Sequence, residues 1–333
     1  SDVCSSDLPE IEPCRIAIRT GSTHGRVYRP RMRILLLLLV ALLGASCAKS
    51  PAPKRLLLVT TTTGYRHDSI ELGEKIIRGL AATSGDFTVT STSESRDFPD
   101  YSTTTGPALH EAVRHVLAEY LNPTALARYD GVLFLCPVDE PDAPLPLPDR
   151  AAFLKWIAAG HGFIGVHAAS DCLHQDPEYV AMLGSEFLGH GRQATGNIVN
   201  ADPAHPATAA WGRNVAVFEE LYHFKPASYD PRRLHLLLGM TARPDDGTGA
   251  VGEQGWFPLS WARLQGQGRV FYTALGHRED VWDPAWKDAD GKRANPPQIA
   301  EAFQAHLLGG IRWALGLVPG DATPQIKADG SGK

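Results

Sequence analysis

The sequence predicts an α/β domain, and three observations carry that reading. Short continuous aliphatic runs at residues 55–60, 131–135 and 163–166 have the look of strands buried on both faces of a parallel sheet. Between them lie longer stretches whose apolar residues recur at helical spacing. Beyond residue 195 the strand-like runs become denser, so the second half is expected to be richer in β-structure.

The elements follow in order. The first strand, 55–60, leads to a helix over 69–82 in which Ile70, Ile76, Ile77 and Leu80 share a face and Asp68 or Ser69 caps the first turn. A strand at 87–92, a helix at 109–121, a short helix at 124–128 and the strand at 131–135 continue the alternation. Residues 136–148 hold five prolines and three acids and therefore form a loop. Pro148 opens a helix with Phe153, Leu154, Ile157 and Ala158 on one face, stopped by Gly160 and Gly162. The buried strand 163–166 then ends at His167. Strands at 195–199, 215–218, 234–238, 257–264 and 269–273 follow, and a helix at 297–315 with Phe303, Leu307 and Ile311 on one side closes the domain.

The amino terminus reads differently. Residues 1–31 lack any hydrophobic period and are expected to be a non-native leader, with Met32 as the initiator. Residues 32–47 form a signal peptide: Arg33, an apolar run at 34–43, then Gly44, Ala45 and Ser46 before Cys47, the expected lipid-attachment site. Ten apolar residues are too few for a permanent membrane span. The chain is thus expected to be exported, periplasmic and held to the membrane only through a lipid, with 48–53 as a tether, 54–318 as the domain and 319–333 as a flexible tail. Export leaves Cys136 and Cys172 as the domain's cysteines, able to form one disulfide in an oxidising compartment but not required to. The 43% hydrophobic content suffices for a core, and the formal charge of -5 gives no footprint for nucleic acid.

Four motifs place a histidine or glutamate at or just past the end of an apolar run, where an α/β sheet builds its ligand crevice. They contain His67, His167, Glu220 and His277. Parallel strands bring residues at their carboxyl ends to one edge, so these four are the candidate catalytic set. Imidazole and carboxylate also suit zinc, manganese or iron, which makes the same four a candidate metal site. Without a metal, a histidine can still move a proton near neutral pH with Glu220 as its partner. The packing alternatives are that His67 caps the helix near Ser69 and that His167 is a core histidine bonded to backbone.

The motifs Gly64-Tyr65-Arg66-His67-Asp68-Ser69-Ile70, Gly162-Phe163-Ile164-Gly165-Val166-His167-Ala168-Ala169-Ser170-Asp171, the run from Gly268 to His277, and Gly309-Gly310-Ile311-Arg312-Trp313-Ala314-Leu315-Gly316 resemble the ThuA (trehalose utilisation) family, in order from Lys54 to Val318. The resemblance implies a flavodoxin-like fold of the class I glutamine amidotransferase type, a mostly parallel sheet with helices on both faces. It also implies a role in sugar catabolism, on disaccharides or their 3-keto derivatives. Glu220 and Tyr222 fall on the family's acidic-aromatic motif, and His190 and His205 match family positions. Where the amidotransferases carry a nucleophilic cysteine, this chain has His167, so glutamine hydrolysis is not expected.

Tyr65, Arg66, Asp171, His190, Tyr222 and Trp282 are the candidate substrate-binding residues. Arg66 could share the stabilisation of developing charge with the histidines, and Asp171 could orient His167 or cap the next helix. Trp282 and Trp286 flank Asp283-Pro284 in an expected loop and could form a lip against a sugar ring, whereas Trp261 reads as core. His205, before Pro206, reads as a turn residue. The expected partner is a small saccharide. An enzyme of the hydrolase, lyase or isomerase kind fits the titratable cluster, and the alternative is a non-catalytic saccharide-binding or scaffolding lipoprotein.

Overall fold

The structure, a computed structural model, describes residues 52–326. The expected leader, signal peptide and Cys47 lie outside the described residues, as does most of the tether. Among the described residues no helix is long and apolar enough to cross a membrane.

The first half alternates as expected: β1 (Lys54–Val59), α1 (Ser69–Ser84), β2 (Phe87–Ser91), α2 (Gly106–Tyr120), α3 (Pro123–Leu126), β3 (Gly131–Leu135), α4 (Arg150–Ala158), β4 (Gly162–Val166) and α5 (Pro177–Leu183). β3 and β4 are buried at every residue, which is why their sequences are uniformly apolar rather than alternating. Two caps differ from expectation. Asp149, not Pro148, starts α4, its carboxylate accepting from the Ala152 N–H at 2.9 Å. At α1 neither Asp68 nor Ser69 makes a side-chain cap; the Ser69 hydroxyl instead donates to Gly276 O at 2.8 Å, tying the helix start to the loop that carries His277.

The second half is β5 (Phe187–His190), β6 (Ala194–Asn200), β7 (Asn214–Glu219), β8 (Tyr222–Phe224), β9 (His235–Ala242), β10 (Gln254–Gln265), β11 (Gly268–Thr273), α6 (Glu279–Trp282) and α7 (Pro297–Ala314). Nine strands form one sheet in the order β2-β1-β3-β4-β11-β10-β9-β6-β7. The five from β2 to β11 run parallel, and β10, β9, β6 and β7 extend them antiparallel. The parallel part has the flavodoxin-like order, with its switch point between β1 and β3. β5 and β8 pair separately as a two-stranded ribbon.

Alternation along β11 shows how both sheet faces are covered. Phe271 lies against Gly310 of α7, where an added Cβ would come within 2.3 Å of the ring, while Tyr272 on the other face meets the neighbourhood of Gly165 and Leu183 of α5. The chain after α7 is not loose as far as residue 325. Gln325 bonds both backbone groups of Leu236, and Thr323 O meets His235 Nδ1 at 2.7 Å, so the expected tail is docked over its described part. Cys136 and Cys172 are buried free thiols.

Two histidines away from the sheet edge make the fold acid-sensitive. His306 is fully buried with Nδ1 bonded to Ala207 O, and buried His205 accepts from the Ala207 N–H. Burial, with repulsion from neighbouring basic groups, pushes both down to about 4. Above the ordinary histidine value both are neutral whether the chain is folded or unfolded. As pH falls below it the unfolded chain takes up protons that the folded chain refuses. Stability should therefore drop between roughly pH 6.5 and 4, by about 1.4 kcal/mol per pH unit for each histidine. In urea titrations at pH 7 and 5, His306→Gln should lose less on acidification than the parent; an equal loss would contradict this.

Candidate active site

Three parallel strands deliver the histidines. β1 leads through Tyr65 and Arg66 to His67, β4 ends directly at His167, and β11 turns through Gly276 to His277. Their rings meet edge to face: centroids are 4.8 Å apart for His67 and His167, and 5.4 Å apart for the other two pairs. Glu220 completes the group, its Oε1 standing 3.4 Å from His167 Nε2 and 3.6 Å from His277 Nδ1. One donor atom from each of the four lies within 4.8 Å of the others. The structure thus brings together the whole predicted catalytic set.

His167 is held in an uncommon backbone conformation, φ 49°, at the sharp turn where β4 ends. Its Nδ1 donates to Ala274 O at 2.7 Å, and its own carbonyl accepts from the Tyr272 hydroxyl at 2.8 Å. With the proton on Nδ1, Nε2 carries the lone pair that faces the cluster, and Tyr222 donates to it at 2.9 Å. An imidazole fixed through Nδ1 by a backbone carbonyl, with the lone pair of Nε2 turned to the cluster, is the arrangement metal-ligating histidines use, and here the Tyr222 hydroxyl occupies that lone pair.

Electrostatics keep His67 and His277 neutral and Glu220 ionised, an electron-rich combination. Burial, reinforced by the other histidines, pushes His67 down to about 2, and burial with His167 nearby pushes His277 down to about 4. Burial works to raise Glu220, but its contacts with His167 and the charges of His277 and His190 bring it below the usual carboxylate value. Burial holds the Tyr222 phenol well above its ordinary value, so it remains a proton donor at neutral pH. The Nδ1 atoms of His67 and His277 are buried with no hydrogen-bond partner. Buried ring nitrogens without partners are costly alone, and in the tautomer with the proton on Nε2 each presents a lone pair suited to a cation.

His67, Glu220 and His277 line a cavity of about 350 Å3 together with Tyr65, Val138, Asp171, Phe187, His190 and Tyr222. His190 sits opposite Tyr222 in the β5–β8 ribbon, with Nδ1 2.8 Å from Gly191 O and 3.2 Å from Glu220 Oε2. Both partners are acceptors, so Nδ1 bears the proton and Nε2 is the basic nitrogen.

Other predicted residues stand elsewhere. Trp282 is fully buried, donates to Gly276 O at 2.8 Å and packs on Phe303, so it is a core residue in α6 rather than a lip. Arg66 donates to Thr60 O and Glu71 and lies 3.9 Å over the Tyr101 ring; its role is to brace the loop that carries His67. Asp171 lines the cavity but pairs with His174 at 3.0 Å instead of orienting His167, and Asp176 caps α5. His205 and Trp261 are buried away from the cavity, the first in its predicted turn.

Sequence reading missed Glu219. Fully buried, its carboxylate accepts from the backbone N–H groups of Gly276 at 2.8 Å, His277 at 2.7 Å and Arg278 at 3.2 Å. Gly276 has φ 124°, which turns its own and the His277 N–H toward that carboxylate. The adjacent pair Glu219-Glu220 at a strand end was the available signal, but nothing in it distinguishes the loop anchor from the site carboxylate. Neither cysteine can replace a missing elbow nucleophile, since burial pushes Cys136 up to about 12 and Cys172 well above the usual thiol value.

The family model for ThuA, described as trehalose utilisation, matches residues 55–289. The chain belongs to the ThuA family. ThuA is a carbohydrate-utilisation family, and the four site residues all fall inside the matched segment. Among solved structures, the chain is similar to a ThuA-like protein from Parabacteroides merdae, with 19% identity, TM-score 0.57, and coverage of 81% of this chain and 93% of that one. A ThuA-like protein from Bacteroides uniformis is similar at 19% identity and TM-score 0.53, over 81% of this chain and 95% of that one. These likenesses bear on the ThuA fold. No protein of curated function matches the chain.

Proposed function

We propose that this ThuA protein is a carbohydrate-processing enzyme that acts on a small saccharide, of the trehalose or 3-keto-sugar kind, at a divalent cation held by His67, His167, Glu220 and His277. The observation that carries the reading is the convergence within 4.8 Å of donor atoms from four residues, three of them buried, together with the unpartnered Nδ1 atoms of His67 and His277. Zinc, manganese or iron fits such a mixed imidazole and carboxylate set. A cation there would polarise a sugar carbonyl or acidify a bound water.

The chain's own residues supply the rest. Tyr222 Oη now donates to the nitrogen of His167 that faces the cluster, so cation uptake frees that O–H to donate to a substrate oxygen on which charge develops. His190 Nε2, at the half-exposed rim, takes a proton from the carbon beside the carbonyl, and Glu220 holds the other side of its ring. Tyr65, exposed over His67 with ring centroids 4.9 Å apart, offers an apolar face to the sugar. Export and lipid attachment through Cys47 are part of the proposal and are supported by the apolar run at 34–43 and the small residues before that cysteine.

Incubation of the full chain with 3-keto-glucose and 3-keto-trehalose tests the reading. Turnover that EDTA stops and zinc or manganese restores is expected. Saccharide binding without turnover under any metal would instead favour a binding lipoprotein.

A further inference from the structure

Beside the histidine cavity lies a second one of about 360 Å3, and the two share Asp171 and Phe187 as a common wall. Its polar side is a chain of paired charges. His174 donates to Asp171 Oδ1 at 3.0 Å and to Glu186 Oε1 at 2.8 Å, and Lys225 Nζ pairs with the same Glu186 carboxylate. Both partners are carboxylate oxygens, which only accept, so both ring nitrogens donate, and the hydrogen bond to Asp171 leads in raising His174 above its ordinary value. Both cations thus already have carboxylate partners. A neutral hydroxyl-rich group can bond here without stranding a charge, whereas an anionic one would meet Asp139, Glu140 and Asp171.

The apolar side is formed by Phe187 and Leu188. Among the described residues the exposed large hydrophobics are Tyr65, Leu188, Val251 and Leu264, and the first two stand at this pair of cavities. An apolar platform facing a row of fixed donors and acceptors matches a sugar ring, with its C–H face on one side and its hydroxyls on the other.

We propose that the second cavity is a subsite for the second ring of a disaccharide or glycoside whose first ring occupies the histidine cavity. The inference rests on the saccharide reading of that first cavity. Phe187 and Asp171, shared by both lobes, sit at the position of the glycosidic link. Selection for a two-ring ligand then comes from Leu188, His174 and Lys225, none of which belongs to the four-donor cluster.

Calorimetric titration of the full chain with glucose, trehalose and cellobiose tests this. At least one disaccharide should bind about tenfold or more tightly than glucose, equivalent to about 1.4 kcal/mol. Leu188→Asp, at an exposed position that does not threaten folding, should shrink that gap to about twofold or less, and Lys225→Gln should narrow it too. Glucose binding with no disaccharide preference, or a preference that survives Leu188→Asp, would overturn the subsite alone. Failure of all three sugars, and of 3-keto-glucose and 3-keto-trehalose, to bind would overturn the subsite and the saccharide reading together.

Discussion

Replacing His167 with asparagine is expected to leave the chain folded and remove its activity. His167 sits at φ 49°, a conformation asparagine tolerates far better than alanine, so the backbone turn after β4 survives the change. What disappears is the nitrogen that faces Glu220 and accepts from Tyr222. Turnover should fall by about 10³-fold or more, the scale of losing one stabiliser of developing charge. Metal affinity should fall by more than the roughly 10–100-fold that loss of a mere outer-shell partner costs. His167→Ala should show the same functional loss together with lower stability, because it adds backbone strain and leaves Ala274 O without its donor. The comparison needs urea denaturation and turnover on the two variants. An asparagine variant retaining more than about a tenth of parental turnover, a loss of under 1.4 kcal/mol in barrier height, would count against a direct role.

The second large effect is expected at Glu219. Alanine there leaves three converging backbone N–H groups buried beside an empty carboxylate position, and each unsatisfied group costs about 1–3 kcal/mol. Glu219→Ala should therefore destabilise the chain by about 3 kcal/mol or more in urea denaturation. Glu219→Gln keeps one acceptor oxygen and should lose less. Because Glu219 anchors the segment that positions His277, the glutamine variant should also bind metal more weakly than the parent while remaining folded. A change below about 1 kcal/mol for the alanine variant would mean that the 276–278 turn holds its shape without the carboxylate.

The parallel half of the fold was legible because burial on both faces leaves a plain mark: β1, β3 and β4 are uninterrupted aliphatic runs. Once those strands are placed, topology does the rest for the site. His67, His167 and His277 each follow a parallel strand's carboxyl end, and adjacent parallel strands have one edge in common. The antiparallel extension was less legible. Its order, β11-β10-β9-β6-β7, departs from sequence order, and no local pattern fixes which strand pairs with which. The β5–β8 ribbon, which places His190 opposite Tyr222, is only three to four residues long on each side, too short to show a period.

Side-chain direction was the other gap. Trp282 looked like a lip because it precedes Asp283-Pro284, yet one acceptor, Gly276 O, satisfies its indole N–H and lets the whole ring enter the core. Arg66 sits next to His67 in sequence, but successive residues of an extended loop point apart. Its guanidinium found Thr60 O, Glu71 and the Tyr101 face instead of the cavity. Asp171 was closer to expectation in place than in partner, since both nitrogens of His167 are taken by Ala274 O and Tyr222.

Elemental analysis of the full chain, purified without chelator or nickel resin and dialysed against zinc and manganese, tests the central claim most directly. The account predicts a stoichiometric divalent metal in the parent that is lost in His167→Asn. A parent that carries no metal and takes none up would contradict it.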